Sequence, residues 1–260
     1  MKFFNTKDKF LSKLIAVVIA LTAFLPTVQA VKPDPDSDDP KTPNDYLVEA
    51  SNSGSCLLAN LALKNGATNM NNVLLDLCLH EWYYNGYKNI NVVGIVELLL
   101  DRGADVNVRT QDKESRTALM VAVRATKPNY EMVRVLLDQG AEVNARDYAG
   151  WTPLMFACYK GHRDIAELLL DHGAEINASN DGGYTPLMLA SKGSALMYGG
   201  DMVGTVKLLL ERGADVNQRS DDDKYCAKSF VAKIILDRSH YSDKYINAAE
   251  VVYKLLCGQA

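Results

Sequence analysis

Metal sites, nucleophiles and acid–base pairs are built from histidine, cysteine and clustered carboxylates, and this chain spends such residues sparingly. Its four histidines are His80, His162, His172 and His240. A zinc-protease helix needs two histidines one turn apart with a glutamate between them, but His80-Glu81 runs into Trp82-Tyr83-Tyr84 instead. His162 follows a glycine between two apolar stretches, and His172 precedes Gly173, where a polar or cationic ring suits the end of a helix. No serine elbow, phosphate-cradling glycine loop or CxxC pair occurs. The acidic run Asp221-Asp222-Asp223 lacks the alternating ligands of a calcium loop and reads as a solvated turn. These patterns predict no catalytic residue, no metal site and no cofactor; the chain is not expected to be an enzyme.

Five cysteines, Cys56, Cys78, Cys158, Cys226 and Cys257, make an odd set. Cys158 lies in the apolar run Leu154-Met155-Phe156-Ala157 and reads as a small buried thiol. Cys56 with Cys78 and Cys226 with Cys257 sit near the two ends of the repetitive region, so disulfides that staple those ends remain open.

The segments that must position any function fall into three blocks. Residues 1–30 place Lys2, Lys7, Lys9 and Lys13 before an apolar run from Leu14 to Leu25, then Pro26 and the small-residue pattern Val28-Gln29-Ala30. That order predicts a secretory signal peptide cleaved after Ala30, since the apolar run is short of the roughly 20 residues a bilayer span needs. The lysine-only leader points to a bacterial export route, with the periplasm or the medium as destination. The residue immediately after the cleavage point is Val31 and not cysteine, which disfavours a lipid anchor. Without the leader the formal charge moves from −4 to −7, and an acidic chain repels nucleic-acid phosphates. Residues 31–45 hold Pro33, Pro35, Pro40 and Pro43 among five aspartates and are expected to form a flexible, extended tether.

From there the sequence repeats. Gly103-Ala104-Asp105-Val106-Asn107 recurs at Gly140, Gly173 and Gly213, with a degraded copy at Gly66-Ala67-Thr68. Thr152 suits a helix N-cap and Pro153 the first helical turn. Gly161 ends that helix, a second runs from Arg163 to about Asp171, and Gly173 supplies the left-handed residue that stops it. Helices of about ten residues are marginal alone, so several pairs must stack in a row with modified ends.

The combined Thr-Pro-Leu opening, Gly161-His162 link, Leu-Leu-Leu run and Gly-Ala-Asp-Val-Asn ending resemble the ankyrin repeat, and the unit 147–179 fits it without gaps. The resemblance implies an all-α repeat solenoid over 46–260, with repeats at about 71–108, 109–146, 147–179 and 180–219 and divergent caps at about 44–70 and 220–260. Met120, Met155 and Met188 stand where the family has histidine, which predicts loss of a polar tie. Two further departures are an expansion within Gly193 to Asp201 and a longer turn over Gln111 to Ser115.

The resemblance also implies a partner surface on the concave face, formed by turn tips and the exposed side of first helices. Carried over position by position, it comprises Arg116 and Arg124; Tyr148, Trp151, Tyr159 and Lys160; and Asp181, Tyr184 and Lys192. Tyr198 and Met197 in the expansion extend it. Large aromatic side chains that the stack does not need for its own core point to a protein partner, although Trp151 and Tyr184 lying against adjacent turns is the competing reading. The resulting expectation is an exported interaction scaffold, monomeric by itself, that binds another protein and neither nucleic acid nor, after cleavage, a membrane. Its alternatives are an inhibitor or immunity protein against a toxic enzyme, an accessory of an envelope or stress enzyme, and a host-directed effector.

Overall fold

The computed structural model describes residues 41–79, 91–192, 200–222, 224–237 and 241–258. The leader, the tether up to residue 40, His80, His240 and the Met197–Tyr198 part of the expansion lie outside them.

Among the described residues twelve helices follow one another: α1 (Pro43–Ser53), α2 (Cys56–Lys64), α3 (Met70–Leu79), α4 (Val92–Asp101), α5 (Ala118–Arg124), α6 (Tyr130–Asp138), α7 (Pro153–Lys160), α8 (Arg163–Asp171), α9 (Pro186–Ser191), α10 (Met202–Glu211), α11 (Ala227–Leu236) and α12 (Asp243–Leu256). Each odd helix pairs with the even helix after it. Odd helices also pack on the next odd helix and even on the next even, so six pairs form a two-row stack, as an all-α repeat solenoid requires.

The repeated motifs explain the helix ends. Thr117, Thr152 and Thr185 cap α5, α7 and α9 by accepting the N–H of Met120, Met155 and Met188. In the second case the Thr152 N–H also reaches Met155 Sδ at 3.5 Å, so one methionine keeps a weak polar contact, contrary to the expectation that this tie is lost. At the other end of the four middle pairs, Ala104, Ala141, Ala174 and Ala214 donate to the carbonyls of Leu99, Leu136, Leu169 and Leu209 at 2.9–3.0 Å. That six-residue return bond, with a glycine at positive φ beside it (Gly173 at 86°), is the Schellman closure. The same four leucines are fully buried.

The asparagines join one pair to the next. Asn71, Asn107, Asn144 and Asn177 each accept, through Oδ1, the backbone N–H of Asp105, Glu142, Glu175 and Asp215 one unit further on, at 2.8–2.9 Å. Asn44 does the same for Thr68 at 2.8 Å. Turn tips form a second ladder: Tyr148 N–H donates to Glu114 O, and Asp181 N–H to Ala149 O, both at 3.1 Å. The longer turn at 111–115 closes by one isolated antiparallel bridge between Arg109 and Thr117.

One boundary differs from expectation. The extended segment does not reach residue 45, because Thr42 caps α1 by accepting the Asp45 N–H at 3.3 Å while Asp45 accepts the Thr42 N–H at 2.6 Å. Proline at the first helical position and this reciprocal box turn an acidic, proline-containing stretch into a helix start.

Candidate protein-binding face

The turns that precede α7, α9 and α11 each deliver an aromatic residue immediately before the helix: Trp151, Tyr184 and Tyr225. Their backbone is held by the first residue of the turn. Asp147 Oδ1 accepts the N–H groups of Ala149 and Trp151 at 3.0 and 2.8 Å, and Asn180 Oδ1 accepts those of Gly182 and Tyr184 at 3.1 and 2.9 Å. Trp151 and Tyr184 are both half-buried. The Trp151 ring lies 5.0 Å from Phe156 and meets Tyr159 edge-on at 5.5 Å. Tyr184 leans forward onto the next pair, 6.4 Å from Tyr225 and 6.0 Å from Phe230, which stack on each other at 5.0 Å. Two aromatic clusters therefore occupy neighbouring stretches of the first-helix row, each buried on one side and open on the other.

Several expected residues sit around them. Tyr148 is 73% exposed at its turn tip, and Arg124 and Lys192 are exposed at the ends of α5 and α9. Tyr159 and Lys160 are half-buried in the last turn of α7. Asp181 is exposed at its tip, 3.9 Å from Arg146. Tyr198 falls outside the described residues.

Arg116 corrects the expectation. Its side chain is only 16% exposed, 3.2 Å from Glu114 and 3.7 Å from Asp147, with the guanidinium over the Phe156 ring. Asp147 is committed to its own turn and nearly fully buried, so its charge needs a cation close by, and Arg116 of the preceding turn supplies it. Arg116 thus ties two repeats together instead of standing free for a partner.

Tyr225 and Phe230 are the members of the face that reading the sequence missed. The available signal was position: Tyr225 precedes the start of α11 as Trp151 and Tyr184 precede theirs, and Phe230 repeats the slot of Phe156.

The two described histidines both bond backbone carbonyls. Nε2 of His162 bonds Ala125 O in the preceding repeat at 2.9 Å, and Nδ1 of His172 bonds Leu168 O at 2.9 Å. All five cysteines are free thiols, with Cys158 fully buried and burial pushing the Cys78 thiol up to about 12. Asp222 accepts the Ser220 hydroxyl at 2.6 Å and the Lys224 N–H at 3.2 Å, a turn pattern. Among the described residues no group of three or more His, Cys, Asp or Glu is placed to hold a metal ion, and no helix is long and apolar enough to cross a membrane.

Burial lowers the His162 pKa below its ordinary value of 6.5, outweighing the opposing pull of the Ala125 carbonyl. Between the folded and unfolded pKa values the unfolded chain binds the extra proton, so stability rises with pH there. Stability from this group is complete above about pH 6.5 and declines as the medium is acidified below it. Thermal melts from pH 7.5 to 5 are expected to show this decline in the native chain and a shallower one in His162→Asn; parallel curves would mean that His162 titrates alike in both states.

A family model described as ankyrin repeats in three copies matches residues 47–147 and 146–220. No curated protein matches the chain.

Proposed function

The chain belongs to the ankyrin-repeat family, and from that premise we propose that it is an exported, non-catalytic scaffold that captures another protein on the face formed by its turns and first helices. Ankyrin repeats generally mediate protein–protein interaction. The observation that carries the reading for this chain is the row of half-open aromatic clusters around Trp151 and Tyr184, with Tyr148 projecting beside them. Trp and Tyr anchor interfaces because one side of the ring is already immobilised while the other offers a large desolvatable area with a polar edge. Here the immobilisation is supplied by Phe156, Tyr159, Tyr225 and Phe230, so little side-chain entropy remains to be lost on binding.

Export is supported by the basic, apolar and small-residue order of residues 1–30. The proposed location is the periplasm or the medium, with the leader removed after Ala30.

Affinity purification with the chain lacking its leader as bait, followed by mass spectrometry, identifies the partner. Replacing Trp151 and Tyr184 together by Ala is expected to leave far-UV circular dichroism unchanged and to weaken capture by about 2 kcal/mol, roughly thirtyfold. Undiminished affinity in a correctly folded double variant would move the partner to another face.

A further inference from the structure

The two rows of helices differ in charge. From α5 onward the odd helices and their ends carry Arg124, Lys160, Lys192, Lys228 and Lys233 against one carboxylate, the Asp237 that caps α11. The even helices from α4 onward carry Glu97, Asp101, Glu131, Asp138 and further acids up to Glu250, with fewer cations. Ion pairing follows the same division. On the even row Arg134 pairs with Glu131 and Asp138, Arg163 with Glu167, and Arg212 bridges Asp171 at 2.7 Å and Glu167 at 3.5 Å. Among the described residues, Arg124, Lys192, Lys228 and Lys233 of the odd row have no ion-pair partner.

Most of the described carboxylates on the adjoining turns face a nearby cation. Asp112, held as a carboxylate by the Thr110 hydroxyl and two backbone N–H groups, keeps its negative charge on the longer turn. Glu114 and Asp147 face Arg116, Asp181 faces Arg146, and Asp222 lies 3.5 Å from Lys224. Among the described residues, Asp221 is the remaining exposed acid beside the aromatic row.

Arg124, Tyr159, Lys192 and Lys233 occupy the same slot of successive first helices, seven residues after Thr117, Thr152, Thr185 and Cys226. A line of cations with one aromatic residue in it therefore runs parallel to the row formed by Trp151, Tyr184 and Tyr225 one helix-length away. We infer that this face takes an acidic segment of a protein partner, one whose carboxylates meet Arg124, Lys192 and Lys233 while its apolar or aromatic side chains fill the spaces beside Trp151 and Tyr184. Charge complementarity selects this occupant: a chain of net charge −4 presents local positive potential along one flank, where a carboxylate-rich segment gains and a basic one is repelled. The inference rests on the first-helix face being the docking surface and adds the chemistry of what docks.

A random copolymer of glutamate and tyrosine serves as probe, with binding to the full chain measured by isothermal titration at 20 and 150 mM salt. Arg124→Glu/Lys192→Glu/Lys233→Glu is compared with Lys207→Glu/Lys244→Glu/Lys254→Glu, which changes net charge equally but on even helices. The first variant is expected to lose tenfold or more in affinity at low salt and the second much less, with the difference shrinking at 150 mM as screening shortens to about 8 Å. Should the reversed odd-row variant fold poorly, Arg124→Gln/Lys192→Gln/Lys233→Gln is expected to show a smaller loss in the same direction. Equal losses in both reversals, or none in either, would overturn the inference. Loss with Trp151→Ala/Tyr184→Ala but not with the cation variants would retain the face and reject its acidic ligand. Salt-sensitive self-association of the chain alone in sedimentation would instead assign the cations to the acidic even row of a second copy and overturn it too.

Discussion

Leu169→Ala is expected to cost about 3–5 kcal/mol and to divide one unfolding transition into two. Leu169 is fully buried in α8, which packs on α7, α6 and α10, so truncation opens a cavity where four helices meet. Its carbonyl also receives the Ala174 N–H that closes the helix, at 3.0 Å. Among the described helices the main packing is within a unit or between adjacent units, so weakening the middle loosens the link between the two halves. Urea unfolding followed by circular dichroism should show a second step with smaller slopes. Truncating Leu236, which is 84% exposed, is expected to shift stability by less than about 0.5 kcal/mol. A single transition displaced by under 1 kcal/mol in Leu169→Ala would mean that this interior can close over the gap.

Gly183→Ala is expected to cost about 3 kcal/mol, more than the same change at Gly213. Both glycines have left-handed backbones, with φ of 75° and 87°. At Gly213 an added methyl meets nothing within 4 Å, leaving only conformational strain of about 1–2 kcal/mol. At Gly183 it would stand 2.4 Å from the backbone N of Asp221 in the next turn, an approach no side chain tolerates. The turn ladder must then part or shift, which also disturbs Tyr184 and Tyr225 on either side. Thermal melts of the two variants separate the contributions, and equal shifts would show that the turns yield without cost.

Much of this architecture was legible because each unit restates its own local rules. Thr152-Pro153, Gly161 and Gly173 mark helix boundaries by chemistry that needs only their immediate neighbours, and α7 and α8 end where those residues place them. Composition misled where a local motif was hidden inside a biased stretch: Thr42-Pro43-Asn44-Asp45 counts as proline- and aspartate-rich, yet is a complete helix start. The inward turn of Arg116 was not legible, because it answers the burial of Asp147, thirty-one positions further along. Tyr225 escaped for a different reason. Cys226-Ala227-Lys228 has replaced the Thr-Pro-Leu opening, and without that marker its slot is recognised only once α11 is seen beside α9. How far Trp151 and Tyr184 are covered depends likewise on neighbours that no single unit contains.

The asparagine ladder gives the stack a polarity. Every backbone N–H in it runs the same way, from the later unit to the side-chain oxygen of the earlier one, and Asn144 alone of these four also returns an amide N–H, to Gly173 O at 3.1 Å. Each interior unit is thus at once a giver and a taker, and a duplicated copy of 147–179 spliced in beside the original leaves no hydrogen unclaimed and no amide oxygen vacant. Such a grammar lets the reading frame of the surface lengthen or shorten by whole words, while reversing a unit within the line would be forbidden.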